Sequence, residues 1–429
     1  ISALGVYEAR LYGRRIGSFV LAPGWTAYGS RVQFQEYPVT DLLQEQNTLD
    51  ITLGKGWCFS ELGWNQSLVE PYPYPAPAII CALHTVFADG TEKTIYSDES
   101  FLTAKSNILF SEIYHGETYD ANHVPTAWLN AVACDYPKDI LVPQQGDAVG
   151  EIEEIQPKEL LTTPKGETVI DFGQNLTGYV AFKTKAPKGT VLELSHAETL
   201  DANGCFYTEN LRTARQKITY VANGEPAEYK PHFTFQGFRY VRLDHWTDPV
   251  DPVDFRAIVV HSDMKRTGYF SCSNAKVNQL FSNIVWGQRD NFLDVPTDCP
   301  QRDDRLGWTR DAQVFVRAAS YNYDVRRFFA KWLTDMALEQ FDDGGIPAVI
   351  PNVLGHNEAS SSAWGDAAVI CPWQMYLTYG DKGILADQFA CMKKWVDYIH
   401  AQGDDEFLWN TGHQYGDHLS LEKAETRKD

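Results

Sequence analysis

The apolar residues of this chain change their spacing once, near Ser273, and that change limits what the chain can fold into. Before it they alternate with period two, as in "RVQFQEYPVT" from Arg31 and "NTLDITLG" from Asn47, between Gly, Pro and Asn/Asp turns. This is the pattern of half-buried strands. After it, Val277, Leu280, Phe281, Ile284 and Val285 recur at helical steps behind a Ser/Asn capping signal. Further helical runs cover "AQVFVRAASYNYDVRRFFAKWLTDMALEQF" from Ala312, "DAAVICPWQMYLTYG" from Asp366 and "ILADQFACMKKWVDYIHAQ" from Ile384. A long β region followed by a helical array is therefore expected, rather than one sheet or one bundle.

The β region is itself too long for a single core, since the whole chain has 429 residues. The Pro-bearing polar stretch from Asp135 to Thr168 reads as a connector and places a division near residue 145. Three units are expected: a β-sandwich over 1–145, a second over 146–265, and helices over 266–429. Asp89-Gly90 marks a two-residue hairpin turn, and the Pro-rich stretch "EPYPYPAPA" from Glu70 belongs in a loop or at an edge.

Charge narrows the partners. The formal net charge is −20, which repels phosphate backbones and anionic lipid, so neither nucleic acid nor membrane is expected as a partner. No apolar run approaches the roughly 20 residues of a membrane-spanning helix. The eight cysteines are scattered singly without C-x-x-C pairs, which points to free thiols in a reducing compartment, the cytoplasm. No calcium loop or His cluster stands out by spacing, so neither a metal nor a cofactor is expected. The sequence is silent on oligomeric state.

The densest polar cluster is "DVPTDCPQRDDRLGWTRDAQ", Asp294 to Gln313, in the gap between the first helix and the next. A solvated, salt-bridged loop is the ordinary reading of such a run. Its prolines, glutamines and tryptophan instead suggest a shaped backbone with a stacking surface. A carboxyl packed beside Trp308 would have its pKa raised toward the range of a general acid.

From Asp298 to Gln313 the cluster resembles the signature of glycoside hydrolase family 78, the α-L-rhamnosidases. "YHGETYDAN" from Tyr114, "IDFGQNLTGYV" from Ile170, "HAETLDANGCFYTENLRTA" from His196 and "FTFQGFRYV" from Phe233 are similar to that family's β-domains. The resemblance implies two jelly-roll-like β-sandwiches followed by part of an (α/α)6 barrel. It also implies inverting hydrolysis of terminal α-L-rhamnose from rhamnose-containing glycosides. Carried over by position, the general acid falls on Asp304, and the sugar-binding residues fall on Asp298, Trp308, Asp311 and a further aromatic platform, Trp364. Arg302 and Arg305 are placed to hold the neighbouring carboxylates, and His418 stands among the substrate contacts.

Three positions depart from the family pattern: Asp304 replaces Glu, Arg310 replaces Gly, and His418 replaces Trp. If that Gly serves a positive φ, Arg310 is expected to strain the loop. The family's base is a Glu farther along the barrel, and no residue up to Asp429 matches it. The chain is thus expected to be truncated within the barrel, with weak or absent turnover on its own. A catalytically inactive rhamnoside-binding protein, or a glycosidase for another sugar on the same barrel, are the alternatives.

Overall fold

The structure, a computed structural model, describes residues 1–64, 70–247, 249–355, 360–405 and 407–416. Among these, every strand longer than two residues lies before Asp263. Apart from the single turn α1 (Gly56–Phe59), every α-helix lies after Asn274: α2 (Ala275–Asn291), α3 (Thr309–Asn322), α4 (Arg326–Glu339), α5 (Ala367–Tyr379) and α6 (Lys382–His400). The switch of periodicity is thus the switch of architecture. Asn274 caps α2, its side chain accepting from the Lys276 N–H. The single helical run expected from Ala312 is two helices, because the chain leaves helical geometry at Tyr323–Asp324 before α4 begins.

The large sheet is built around the strand Thr168–Thr184. Its first half pairs antiparallel with Gln236–Asp244 and its second half with Phe255–Ser262, with a register shift between Asp171 and Leu176. Apolar residues of these strands, among them Ile170, Leu176, Phe182, Phe238, Phe255 and Val259, form the core of this unit. The division expected near residue 145 does not separate all the strands. Ile108–Glu112 and Gly116–Asp120 precede it yet join this sheet, the latter pairing parallel with Lys217–Val221.

The N-terminal strands form several small sheets, and the Asp89-Gly90 hairpin joins Ala82–Val86 to Glu92–Tyr96. Its loop is longer than two residues: the Phe87 N–H donates to the Thr91 carbonyl around Ala88, Asp89 and Gly90. The Pro-rich stretch is loop from Glu70 to Pro77, and its last residue opens the strand Ala78–Ile80, which pairs with Ser2–Leu4.

One hydrophobic core runs from the N-terminal unit into the helices. Trp25, Tyr28 and Trp57 pack in the same buried cluster as Phe292, Phe328 and Trp332. The seam is also polar. Arg31 pairs with Asp335 on α4 at 2.7 Å, both almost fully buried, and the Ala27 N–H donates to the same carboxylate at 3.1 Å. Lys331, 1% exposed, pairs with Asp294 at 3.1 Å and donates to the Trp25 carbonyl. Burying these charges is tolerable only because each has a partner.

Candidate active site

The loop between α2 and α3 is held by all three units. Asp294, in the left-handed region at φ 66°, fixes its start by accepting from the Trp25 backbone N–H and by pairing with Lys331. Asp303, fully buried, pairs with Arg212 at 2.5 Å and accepts from the Thr213 hydroxyl at 2.5 Å, both groups belonging to the large-sheet unit. The Asp304 N–H donates to the Gly63 carbonyl of the N-terminal unit at 2.7 Å.

Arg305 does not hold a carboxylate, contrary to expectation. It is 1% exposed, and its guanidinium donates to the carbonyls of Ile113 (3.0 Å), Phe235 (2.8 Å), Gln301 (3.2 Å) and Arg302 (3.0 Å). Its planar fork satisfies carbonyls from both β regions and the loop at once, so its task is to fix the backbone. Burial depresses its own pKa to about 10.

Around this scaffold Asp298, Arg302, Asp304 and Trp308 come together. One guanidinium nitrogen of Arg302 lies 3.5 Å from Asp298 and 3.4 Å from Asp304, so the two carboxyl groups share a cation. The Trp308 indole N–H donates to the other oxygen of Asp304 at 2.9 Å, and Arg212 reaches Asp304 at 3.2 Å. Asp298 accepts the Leu306 N–H at 3.2 Å. Burial first, and the neighbouring Asp304 second, push the Asp298 pKa up to about 7. The carboxyl whose proton affinity burial raises is therefore Asp298. Glu198, on the large-sheet unit and held by Asn175 at 2.9 Å, is also raised, chiefly by burial.

Asp298 opens on a cleft of about 370 Å³ between α2 and the start of α3, whose wall also includes Asn291, Thr297, Arg310 and Asp311. Asp304 and Trp308 are not part of that wall. Asp311 is exposed in the first turn of α3, where a carboxylate also suits the helix dipole. A larger hollow of about 540 Å³ is lined by residues of the large-sheet unit alone, among them Glu193, His245 and Trp246, and holds none of the loop.

Trp364 differs from expectation. It is 3% exposed, with the Arg310 guanidinium 5.1 Å above its ring and the Tyr415 ring tilted against it at 4.1 Å, so protein covers it where a sugar would need an open face. Arg310 lies inside the first turn of α3 and does not carry a positive φ; the loop's positive-φ positions are Asp294, at 66°, and Asp304, at 93°. His418 lies outside the described residues.

Two participants escaped the sequence reading. Trp64 packs against Trp308 with ring centroids 5.7 Å apart, making a paired aromatic surface beside Asp304. Arg212 sits in "NLRTA", and no local pattern distinguishes it from a surface arginine; only its distance to Asp303 and Asp304 does.

Comparison with known proteins covers nearly the whole chain. Residues 1–153 match the α-L-rhamnosidase N-terminal domain, 161–261 the bacterial α-L-rhamnosidase concanavalin-like domain, and 265–429 the bacterial α-L-rhamnosidase 6 hairpin glycosidase domain. An α-L-rhamnosidase of Formosa agariphila is 39% identical over 94% of the chain and 45% of its own length. The crystal structure of Streptomyces avermitilis α-L-rhamnosidase complexed with L-rhamnose superposes with a TM-score of 0.92 at 36% identity, over 97% of this chain and 41% of that one. The native enzyme from Aspergillus terreus gives 0.89 at 40% identity, over 92% of this chain and 47% of that one. The chain thus spans less than half the length of these relatives.

Proposed function

Since this chain belongs to the bacterial α-L-rhamnosidase family of glycoside hydrolases, we propose that it supplies the acid side of an inverting active site that releases terminal α-L-rhamnose from rhamnosides. The observation that carries this reading is the sharing of Arg302 by Asp298 and Asp304, with the Trp308 indole on Asp304. Loss of hydration first, and the neighbouring Asp304 second, keep a proton on Asp298 up to about pH 7. That proton passes to the glycosidic oxygen as its bond to the anomeric carbon breaks. Asp304 contacts the leaving oxygen and relays to it the proton that Asp298 holds, and Asp298 regains a proton from water after the bond has broken.

The sugar has an apolar methyl end and vicinal hydroxyls. The Trp64–Trp308 surface covers the former, while Asp311 and Asp298 on the cleft wall accept bonds from the latter. Inversion also requires a carboxylate that activates water on the opposite face, roughly 6.5–9.5 Å from the acid. No residue of this chain is assigned that role. All eight cysteines are free, and six of them, such as Cys58 and Cys371, are buried, which supports the cytoplasm as the proposed compartment.

The test uses p-nitrophenyl α-L-rhamnoside with the purified protein, the first-formed anomer read by NMR, and calorimetric titration with L-rhamnose. Release of the β-anomer supports inversion. Binding of rhamnose without turnover leaves a rhamnoside-binding protein, and failure of both removes the proposal.

A further inference from the structure

The N-terminal unit brings together three side chains that lie up to 54 positions apart in sequence: Glu61, Glu112 and His115. One ligand atom from each falls within 4.8 Å of the others. The His115 Nε2 atom is 3.2 Å from the inner Glu112 oxygen, Oε2, and 3.9 Å from Glu61 Oε2. Glu112 is 2% exposed and His115 9%, yet no hydrogen bond among the described residues reaches Glu112 Oε2 or His115 Nδ1. Leaving a buried carboxylate oxygen without a hydrogen-bond donor is unfavourable. Such an oxygen, aimed at an imidazole nitrogen and a second carboxylate, is what a cation ligand looks like before the ion binds.

We propose that Glu61, Glu112 and His115 form a site for one divalent transition-metal ion of the zinc type. One imidazole with two carboxylates suits Zn²⁺, Co²⁺ or Ni²⁺ better than Ca²⁺, which takes six or more oxygens. A tetrahedral ion about 2.0–2.2 Å from each ligand spaces them about 3.3–3.6 Å apart, so Glu112 and His115, at 3.2 Å, are already spaced for it, and the half-exposed Glu61, at 3.9 Å from His115, has to swing inward. The other oxygen of Glu112 is already engaged, accepting from the Glu61 N–H at 3.3 Å and facing Lys55 at 3.7 Å, which fixes the carboxylate with Oε2 turned inward. Lys55, and Arg215 facing His115, offset the negative charge, so the affinity is modest. Glu61 is half exposed and gives the ion its route in.

The site lies next to the loop that carries Asp304. Gly63, two residues after Glu61, accepts the Asp304 N–H at 2.7 Å, and Ile113, beside Glu112, accepts from Arg305 at 3.0 Å. An ion joining Glu61 to Glu112 and His115 ties together the two segments that hold the loop.

The experiment is calorimetric titration of the purified protein with ZnCl₂, with CaCl₂ as the control ion and anomalous scattering at the zinc edge to locate the metal. One saturable zinc ion per chain is expected, with no competition from calcium. The isosteric Glu112→Gln and the His115→Ala variants should each weaken binding at least about tenfold, while Glu99→Gln, an exposed acid elsewhere on this unit, should leave it unchanged. Zinc should also raise the Tm of the wild-type protein and not that of Glu112→Gln. No stoichiometric binding, or binding that both ligand variants leave intact, overturns the proposal. Circular dichroism of the two variants separates lost binding from lost fold.

Discussion

At Asp304 the backbone sits at φ 93° with its N–H and both carboxylate oxygens engaged: N–H on Gly63, one oxygen on Trp308, the other between Arg212 and Arg302. Asp tolerates such a backbone better than longer side chains do, because its short polar group bonds locally. The shorter acid is thus compatible with this loop, but it ends about an ångström farther from a substrate than Glu would. In a polypeptide that supplies the base, Asp304→Glu should raise kcat by roughly ten- to a hundredfold, with little change in KM; an unchanged or lower kcat would show that the Asp is the fitted residue. Asp298 gives a prediction on pH. Its carboxyl is raised, chiefly by burial and then by Asp304, to about 7 in the folded protein, against an ordinary value of 3.8. The neutral form is the one the fold prefers. Its contribution is therefore fully present below about pH 4, is lost as pH rises through about 7, and is gone above that. Asp298→Asn keeps the neutral shape at every pH. Its stability relative to wild type should rise between pH 4.5 and pH 8, read as the difference in urea midpoints, while rhamnoside cleavage falls by about a hundredfold or more. A midpoint difference that does not vary with pH would remove the raised carboxyl.

Among the elements, the strand Gln236–Asp244 packs against the loop at Gly237, with no room for a side chain between them. A Cβ on Gly237 would lie 2.8 Å from the Pro300 side chain and 2.9 Å from the Gln301 backbone nitrogen. Gln216 grips Gly237 from the other side, accepting its N–H at 2.9 Å and donating to its carbonyl at 3.2 Å, so the strand cannot retreat. The loop must move instead. Gly237→Ala should therefore shift Pro300 and Gln301 and reduce turnover far more than stability, by about a hundredfold if the acid is displaced by an ångström. Thermal melting together with kcat distinguishes this from simple unfolding: a large drop in Tm with unchanged kcat would contradict it.

Across the whole molecule, the N-terminal unit and the helices share one apolar core and a buried ionic seam, so they should unfold as one cooperative unit. Asp335 is fully buried and serves both the Arg31 guanidinium and the Ala27 N–H. Asp335→Asn strips Arg31 of its countercharge without opening a cavity. The cost should be about 3–5 kcal/mol, measured by urea unfolding, with the N-terminal unit and helices still melting together. Separate transitions for the two would show that the seam, and not the apolar core, joins them.

The change of hydrophobic period near Ser273, the turns and the Asn274 cap are local properties, and each was legible because a strand or helix face needs only its own residues to declare itself. The loop from Asp294 to Asp311 was legible for a similar reason: its acids, arginines and Trp308 stand close enough in sequence to form one motif. Its surroundings were not. Trp64, Arg212, the Gly63 carbonyl and the Arg31–Asp335 seam meet their partners across gaps of 91 to 304 residues, and nothing in a local pattern carries such distances. The same holds for the burial of Trp364 beneath Arg310, and for the meeting of Glu61 with Glu112 and His115. The sequence alone determined which residues could do acid chemistry and the order of the architectures. Tertiary packing decided which acid has its proton affinity raised, which arginine carries charge to it and which only fixes the backbone, because desolvation and pairing are set by what the rest of the chain brings alongside.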